Sequence, residues 1–117
     1  MTLRGARIVG FGKGVSEFSF NDGTAKSGIG LDVGNDATHG PGQITGVNIE
    51  GFGMGMATPV NGTWQVTNVT LQDNGTDLLV QPIESESTTV NLQSVVFDSF
   101  EAIDEPGDTL PEHIVIE

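Results

Sequence analysis

With 117 residues, no cysteine and a formal net charge of −12 at pH 7, the chain is long enough for one small domain. It has no disulfide framework, thiolate metal site or cysteine nucleophile. Its basic residues, Arg4, Arg7, Lys13 and Lys26, all precede residue 27, and residues 27–117 carry 14 acidic side chains with no Lys or Arg. Such a body repels a nucleic-acid backbone, so DNA and RNA are not expected partners.

No stretch approaches the ~20 apolar residues of a transmembrane helix. No signal-length apolar run follows Met1, so the chain is expected either not to use a signal sequence or to have its signal elsewhere. The acidic surface suits a high-salt habitat, and ordinary acidic solubility explains it equally well. Seventeen glycines, with frequent Val, Ile, Thr, Asn and Ser, make a strand-and-turn composition.

In chain order, Thr2 to Gly10 reads as a first strand, and Gly10-Phe11-Gly12-Lys13-Gly14 is a glycine-rich break. Val15 to Phe20 alternates, Asn21-Asp22-Gly23 signals a hairpin turn, and Ser27 to Val33 alternates through Ile29, Leu31 and Val33. Gly28 and Gly30 leave the other face of that strand open to a close neighbour. Residues 34–43 read as a loop carrying His39, followed by a strand from Ile44 to Phe52.

Thr58 to Gly62 is a turn, and Trp64 to Gln72 a strand with a change of face near Asn68. Asp73-Asn74-Gly75-Thr76 is a second turn, and Leu78 to Ile83 returns the chain. Thr88 to Phe100 is a long or bent strand, Asp104 to Asp108 a loop, and His113 to Glu117 a short terminal strand. No window has helical spacing with caps, so little or no helix is expected.

The fold class expected from this pattern is all-β: one antiparallel sandwich, jelly roll or barrel of about nine strands, with hairpins at the two Asx-Gly turns. The single domain spans 1–117, with 1–14 as a basic N-terminal strand or arm and 104–117 as an acidic C-terminal extension.

Ile8-Val-Gly-Phe-Gly-Lys-Gly-Val returns 41 residues later as Ile49-Glu-Gly-Phe-Gly-Met-Gly-Met, which suggests a duplicated unit. Segments GVNIEGFGMGM and NVTLQDNGTDLLV, within residues 47–80, resemble rungs of the right-handed parallel β-helix found in pectate-lyase-like proteins and phage tailspikes. The resemblance implies an alternative fold, a short parallel β-helix, with Ile8, Leu31, Ile49, Leu71 and Phe97 marking successive rungs. It carries over no lyase residue, because that chemistry sets a basic group near acidic metal ligands and residues 27–117 have no base.

Motifs for chemistry are weak. Gly10-Phe11-Gly12-Lys13-Gly14-Val15-Ser16 lacks the Lys-Ser/Thr adjacency of a phosphate loop, and Gly51 to Gly55 lacks a dinucleotide fold around it. Asp73, Asn74 and Asp77 cluster oxygens that calcium favours, as do Asp32, Asn35 and Asp36, but neither set has the spacing of a calcium loop, and turns explain both better. His39 and His113 have no Gly-x-Ser-x-Gly elbow to serve. Glu84/Glu86 and Asp104/Glu105 sit in polar loops, and Glu50 reads as the solvent face of a strand. Asn61, Asn68 and Asn74 head glycosylation sequons.

No catalytic, cofactor or metal residue is therefore assigned. The expected function is that of a non-enzymatic structural protein, a capsid-decoration or tail-associated virion component. It would form homo-oligomers or dock on a capsid or tail protein, away from membranes, through Arg4, Arg7, Lys13, Phe52 and Trp64. The alternative is an extracellular or cell-surface carbohydrate-binding or β-helix module, which an exposed Trp64 beside Phe52 would support and a buried one would weaken.

Overall fold

The computed structural model describes residues 2–9, 16–18, 25–32, 42–103 and 109–117, with backbone alone for 16–18 and 25–27. Among these residues there is no helix and there are thirteen strands. They are β1 (Thr2–Arg4), β2 (Arg7–Val9), β3 (Ser16–Phe18), β4 (Ala25–Ser27), β5 (Ile29–Asp32), β6 (Gly42–Thr45), β7 (Asn48–Glu50), β8 (Met54–Ala57), β9 (Thr63–Gln72), β10 (Thr76–Val80), β11 (Thr89–Val96), β12 (Phe100–Ala102) and β13 (Ile114–Ile116).

All pairings but one are parallel. The first sheet runs β1-β6-β9-β11-β13, with β2 and β7 continuing it beside β9, and the second runs β12-β10-β8-β5. This is a parallel β-solenoid of about three turns. Each turn lays a strand pair (β1 and β2, β6 and β7) or one long bent strand (β9, β11) in the first sheet, then turns a corner and lays a further strand in the second. The exception is β3 with β4, an antiparallel pair that places the expected hairpin within the first turn. Its tip, Asn21-Asp22-Gly23, lies outside the described residues.

The expected antiparallel sandwich, jelly roll or barrel of nine strands is thus corrected to the parallel alternative. The reason is local. Alternation with period two is common to both sheet types, and the bends that divide one apparent strand into two are made by single residues. Gly5, Gly46, Asn68 and Ser94 all have positive φ, at 62, 65, 54 and 54 degrees. They fall one above another, because the residues just before them pair as Arg4 with Thr45, Thr45 with Thr67 and Thr67 with Gln93. One left-handed residue per turn rotates the chain without interrupting the ladder: Gly5 N–H donates to Thr45 O and Gly46 N–H to Thr67 O, each at 3.0 Å.

The 41-residue repeat is real as geometry, since Ile8 pairs with Ile49 on adjacent turns. Ile49 in turn pairs with Leu71. Leu31, expected in that series, belongs to the second sheet and stacks on Met56 and Leu78 instead.

The core consists of such columns. Ile44, Val66 and Leu92 pair in succession, as do Met56 and Leu78, and all five side chains are buried. Each contributes about 1.5–3 kcal/mol by leaving water. Glycine admits the bulkiest member: β6 and β9 pair Gly42 with Trp64, and the indole lies over Gly42, where a Cβ would come within 2.3 Å of the ring. Gly30 bears out the close approach expected of β5, for a Cβ there would meet the Gly55 carbonyl at 2.7 Å.

Candidate functional site

A solenoid buries its middle turns and leaves its last ones half covered, and the burial here follows that rule. In one column Ile44, Val66 and Leu92 are inaccessible, whereas Ile116, next in register after Leu92, is 56% exposed. Val9 of β2, in the first turn, is as exposed as Ile116, and Val96, Ile103 and Val115 open to solvent on or beside β11 to β13. Among the described residues, β1, β2 and β5 each pair on one side only, as do β12 and β13. Among the described residues these edge strands therefore carry backbone N–H and C=O groups without a strand partner, and on β13 they lie beside exposed Ile116, the combination that templates further strand pairing.

The residues expected to make contacts fall in different places. Arg4 is exposed on β1. Arg7 is exposed on β2, and its guanidinium donates to Glu50 Oε1 on β7. Gln72 of β9 donates to Glu50 Oε2 at 2.9 Å, so three side chains on three adjacent strands form one polar rung. The Gln72 hydrogen bond, and after it Arg7, holds the Glu50 carboxyl below its usual range. Glu50 is on the outer face, as its sequence context implied.

Phe52 is half-buried against the core. Trp64 is 1% exposed, with Nε1–H donating to Asn61 O at 2.8 Å, so it offers no surface to a ligand or a partner. Lys13 lies outside the described residues, as do His39, Asn35, Asp36, Asp104, Glu105 and all of the Gly10 to Ser16 motif except Ser16.

The Asp73 to Asp77 cluster is a corner of the solenoid and not a hairpin. Gly51 and Asp73 both take positive φ there, at 81 and 53 degrees, and Gly51 N–H donates to Asp73 O. Buried Asn74 accepts from Phe52 N–H at 2.9 Å and donates to Ile49 O and to Asp77 Oδ1. Asp77 Oδ2 accepts from Asp98 N–H at 2.8 Å. These oxygens are engaged in joining three turns, which suits a structural clamp better than a cation site. Among the described residues no group of three His, Cys, Asp or Glu side chains converges.

A second polar corner links Thr58, Val60 and Thr88: Gln81 N–H donates to Thr58 Oγ1, and Thr88 Oγ1 donates to Val60 O. Beside it opens a groove of about 860 Å³, lined by Gln81, Glu86, Thr89, Leu110 and His113 among others. Of the sequon asparagines, Asn61 is buried with its amide on Glu84 Oε2, Asn74 is buried in the clamp, and Asn68 stands exposed at a bend.

The exposed apolar ends are what sequence reasoning missed. Ile116 looks like any alternating strand residue, and only the topology shows that no further described strand covers it, whereas Val9 and Val96 are exposed because their register turns them to the outer face. Searches against protein-family models, curated proteins and solved structures returned no match to this chain.

Proposed function

We propose that this chain is a non-enzymatic structural protein that works by docking on other protein subunits, with a capsid-decoration or tail-associated role in a virion as its setting. The observation that carries the reading is the set of strand edges left unpaired among the described residues, one of which bears Ile116, the exposed last member of an otherwise buried column, while Val9, Val96 and Val115 add apolar groups to the outer face of the same sheet. A lone protein with such edges is prone to uncontrolled pairing, so a defined protein partner is the natural cover. The rigid parallel ladder, clamped at Asn74 and Asp77, suits a spacer or cement more than a body that changes shape.

The alternative, an extracellular carbohydrate-binding module of right-handed β-helix type, gains from the groove beside Gln81 and His113. It loses the chain's sole indole, because Trp64 is buried and cannot stack on a sugar. Light scattering across a concentration series separates the two. Assembly into a species heavier than the monomer supports the structural reading. A monomer at every concentration that binds glycans on an array overturns it in favour of the module. The virion setting is tested by quantitative mass spectrometry of purified particles, where a fixed copy number relative to the shell subunit is expected and absence overturns it.

A further inference from the structure

We infer that copies of this chain associate head to tail, with β13 of one copy adding β1 of the next to the edge that no described strand pairs. The inference rests on the structural reading above and names the partner surface for it.

Register defines the junction. The columns of the first sheet run Thr2-Gln43-Gln65-Asn91-Val115 and Leu3-Ile44-Val66-Leu92-Ile116. One more parallel strand in the same register sets Leu3 of the next copy over Ile116 and Thr2 over Val115. The 56% exposed Ile116 then becomes an interior member of the most deeply buried column. Glu117 N–H donates to Leu92 O, so by strand alternation the N–H and C=O of Ile116 point away from β11, toward the incoming strand.

Charge selects the polarity. The third column runs Arg4-Thr45-Thr67-Gln93, and extending the β11–β13 register by one residue sets Glu117 next, so exposed Arg4 of the next copy comes to lie beside exposed Glu117 as a cross-strand ion pair. The wider distribution agrees: every Lys and Arg lies in residues 4–26, and residues 98–117 hold seven acidic side chains and no basic one. Tail-to-tail pairing of two β13 strands would bring those acidic ends together, whereas head-to-tail pairing joins opposite charges. Such an interface is heterologous and open-ended. The contact is confined to one face, because β12 and the last residues of β11 stop one layer short of β13; the association is therefore weak and concentration-dependent.

The test is sedimentation velocity of the 117-residue chain over a concentration series. The average mass is expected to climb without a fixed end point. Arg4→Glu or Glu117→Arg alone should shift the association to about tenfold higher concentration, since each places like charges at the contact. The double variant Arg4→Glu/Glu117→Arg should restore it. Ile116→Pro, which removes an outward N–H and leaves the ladder to β11 intact, should abolish it with the fold retained by circular dichroism. A closed oligomer indifferent to these changes overturns the inference and leaves the structural reading standing. A monomer at every concentration overturns the inference, and the glycan array then decides whether the structural reading falls with it.

Discussion

Gly42 and Trp64 face each other across β6 and β9, and the indole fills the space that a side chain at residue 42 would need. A Cβ there would meet three ring carbons at 2.3–2.6 Å, and the ring is enclosed, with Nε1 tied to Asn61 O. Gly42→Ala must displace either the strand or the indole, so it should cost about 1–3 kcal/mol. Urea denaturation reads the loss, and Trp64 fluorescence should shift to the red as the ring is pushed outward. Gly28→Ala, with nothing within 4 Å of its Cβ, should stay near neutral in the same assay.

The bend ladder predicts substitutions of opposite sign. Gly46 and Ser94 occupy equivalent left-handed positions, at φ 65 and 54 degrees. A non-glycine residue there carries about 1–2 kcal/mol of strain, while glycine gives up about 0.5–1 kcal/mol of chain entropy on folding. Strain is the larger effect. Ser94→Gly should therefore stabilise the protein by about 0.5–1 kcal/mol, and Gly46→Ala should destabilise it by a similar amount. Thermal melts of the two variants check both signs, and a drop in stability for Ser94→Gly would show that the Ser94 side chain contributes more than its backbone strain costs.

Buried Asp77 accepts hydrogen bonds from Asn74 Nδ2 and Asp98 N–H with its two oxygens. An amide in its place must point a donor at one of those donors. Asp77→Asn should then cost about 2 kcal/mol, measured by urea denaturation. A cation site makes a different forecast: millimolar calcium would raise the melting temperature of the native protein. The clamp geometry predicts no such rise.

These corners also show how far the chain could be read before its fold was known. The strand content, the absence of helix, the repeat linking Ile8 to Ile49 and the change of face near Asn68 were all legible. Sheet direction was not. Asn74-Gly75 is the same text whether it closes a hairpin or turns a solenoid corner, and Val66 and Leu92 alternate alike in parallel and antiparallel ladders. The strand count fell short because Gly5 and Gly46 bend the backbone without breaking the apolar pattern. Trp64 was legible as the start of a strand but not as a buried residue, since its cover is Gly42, a residue with no side chain to announce it. The unpaired edge at β13 was invisible for the same kind of reason: exposure of Ile116 depends on what stacks above it, and no local pattern records that.

The polar rung on the outer face makes a forecast about acid. Gln72 hydrogen bonding, and secondarily Arg7, lowers the Glu50 carboxyl below its unfolded value. A carboxyl depressed in the folded state adds stability above its unfolded pKa, and that contribution is lost as pH falls through the folded pKa. Glu50→Gln should accordingly lower the urea midpoint at neutral pH, and the gap from the native protein should close in acid, once Glu50 is protonated in both states. Salt then separates the two partners. Arg7 is 69% exposed on its side chain and acts first through its hydrogen bond to Glu50 and only lastly through its charge, the part that salt screens, whereas the Gln72 contact is a short-range hydrogen bond at 2.9 Å. Because Gln72 is the larger cause, most of the neutral-pH gap should survive molar salt, and Gln72→Ala should reduce the acid sensitivity more than Arg7→Ala does. The reverse order would mean that the ion pair, and not the amide, sets the Glu50 titration.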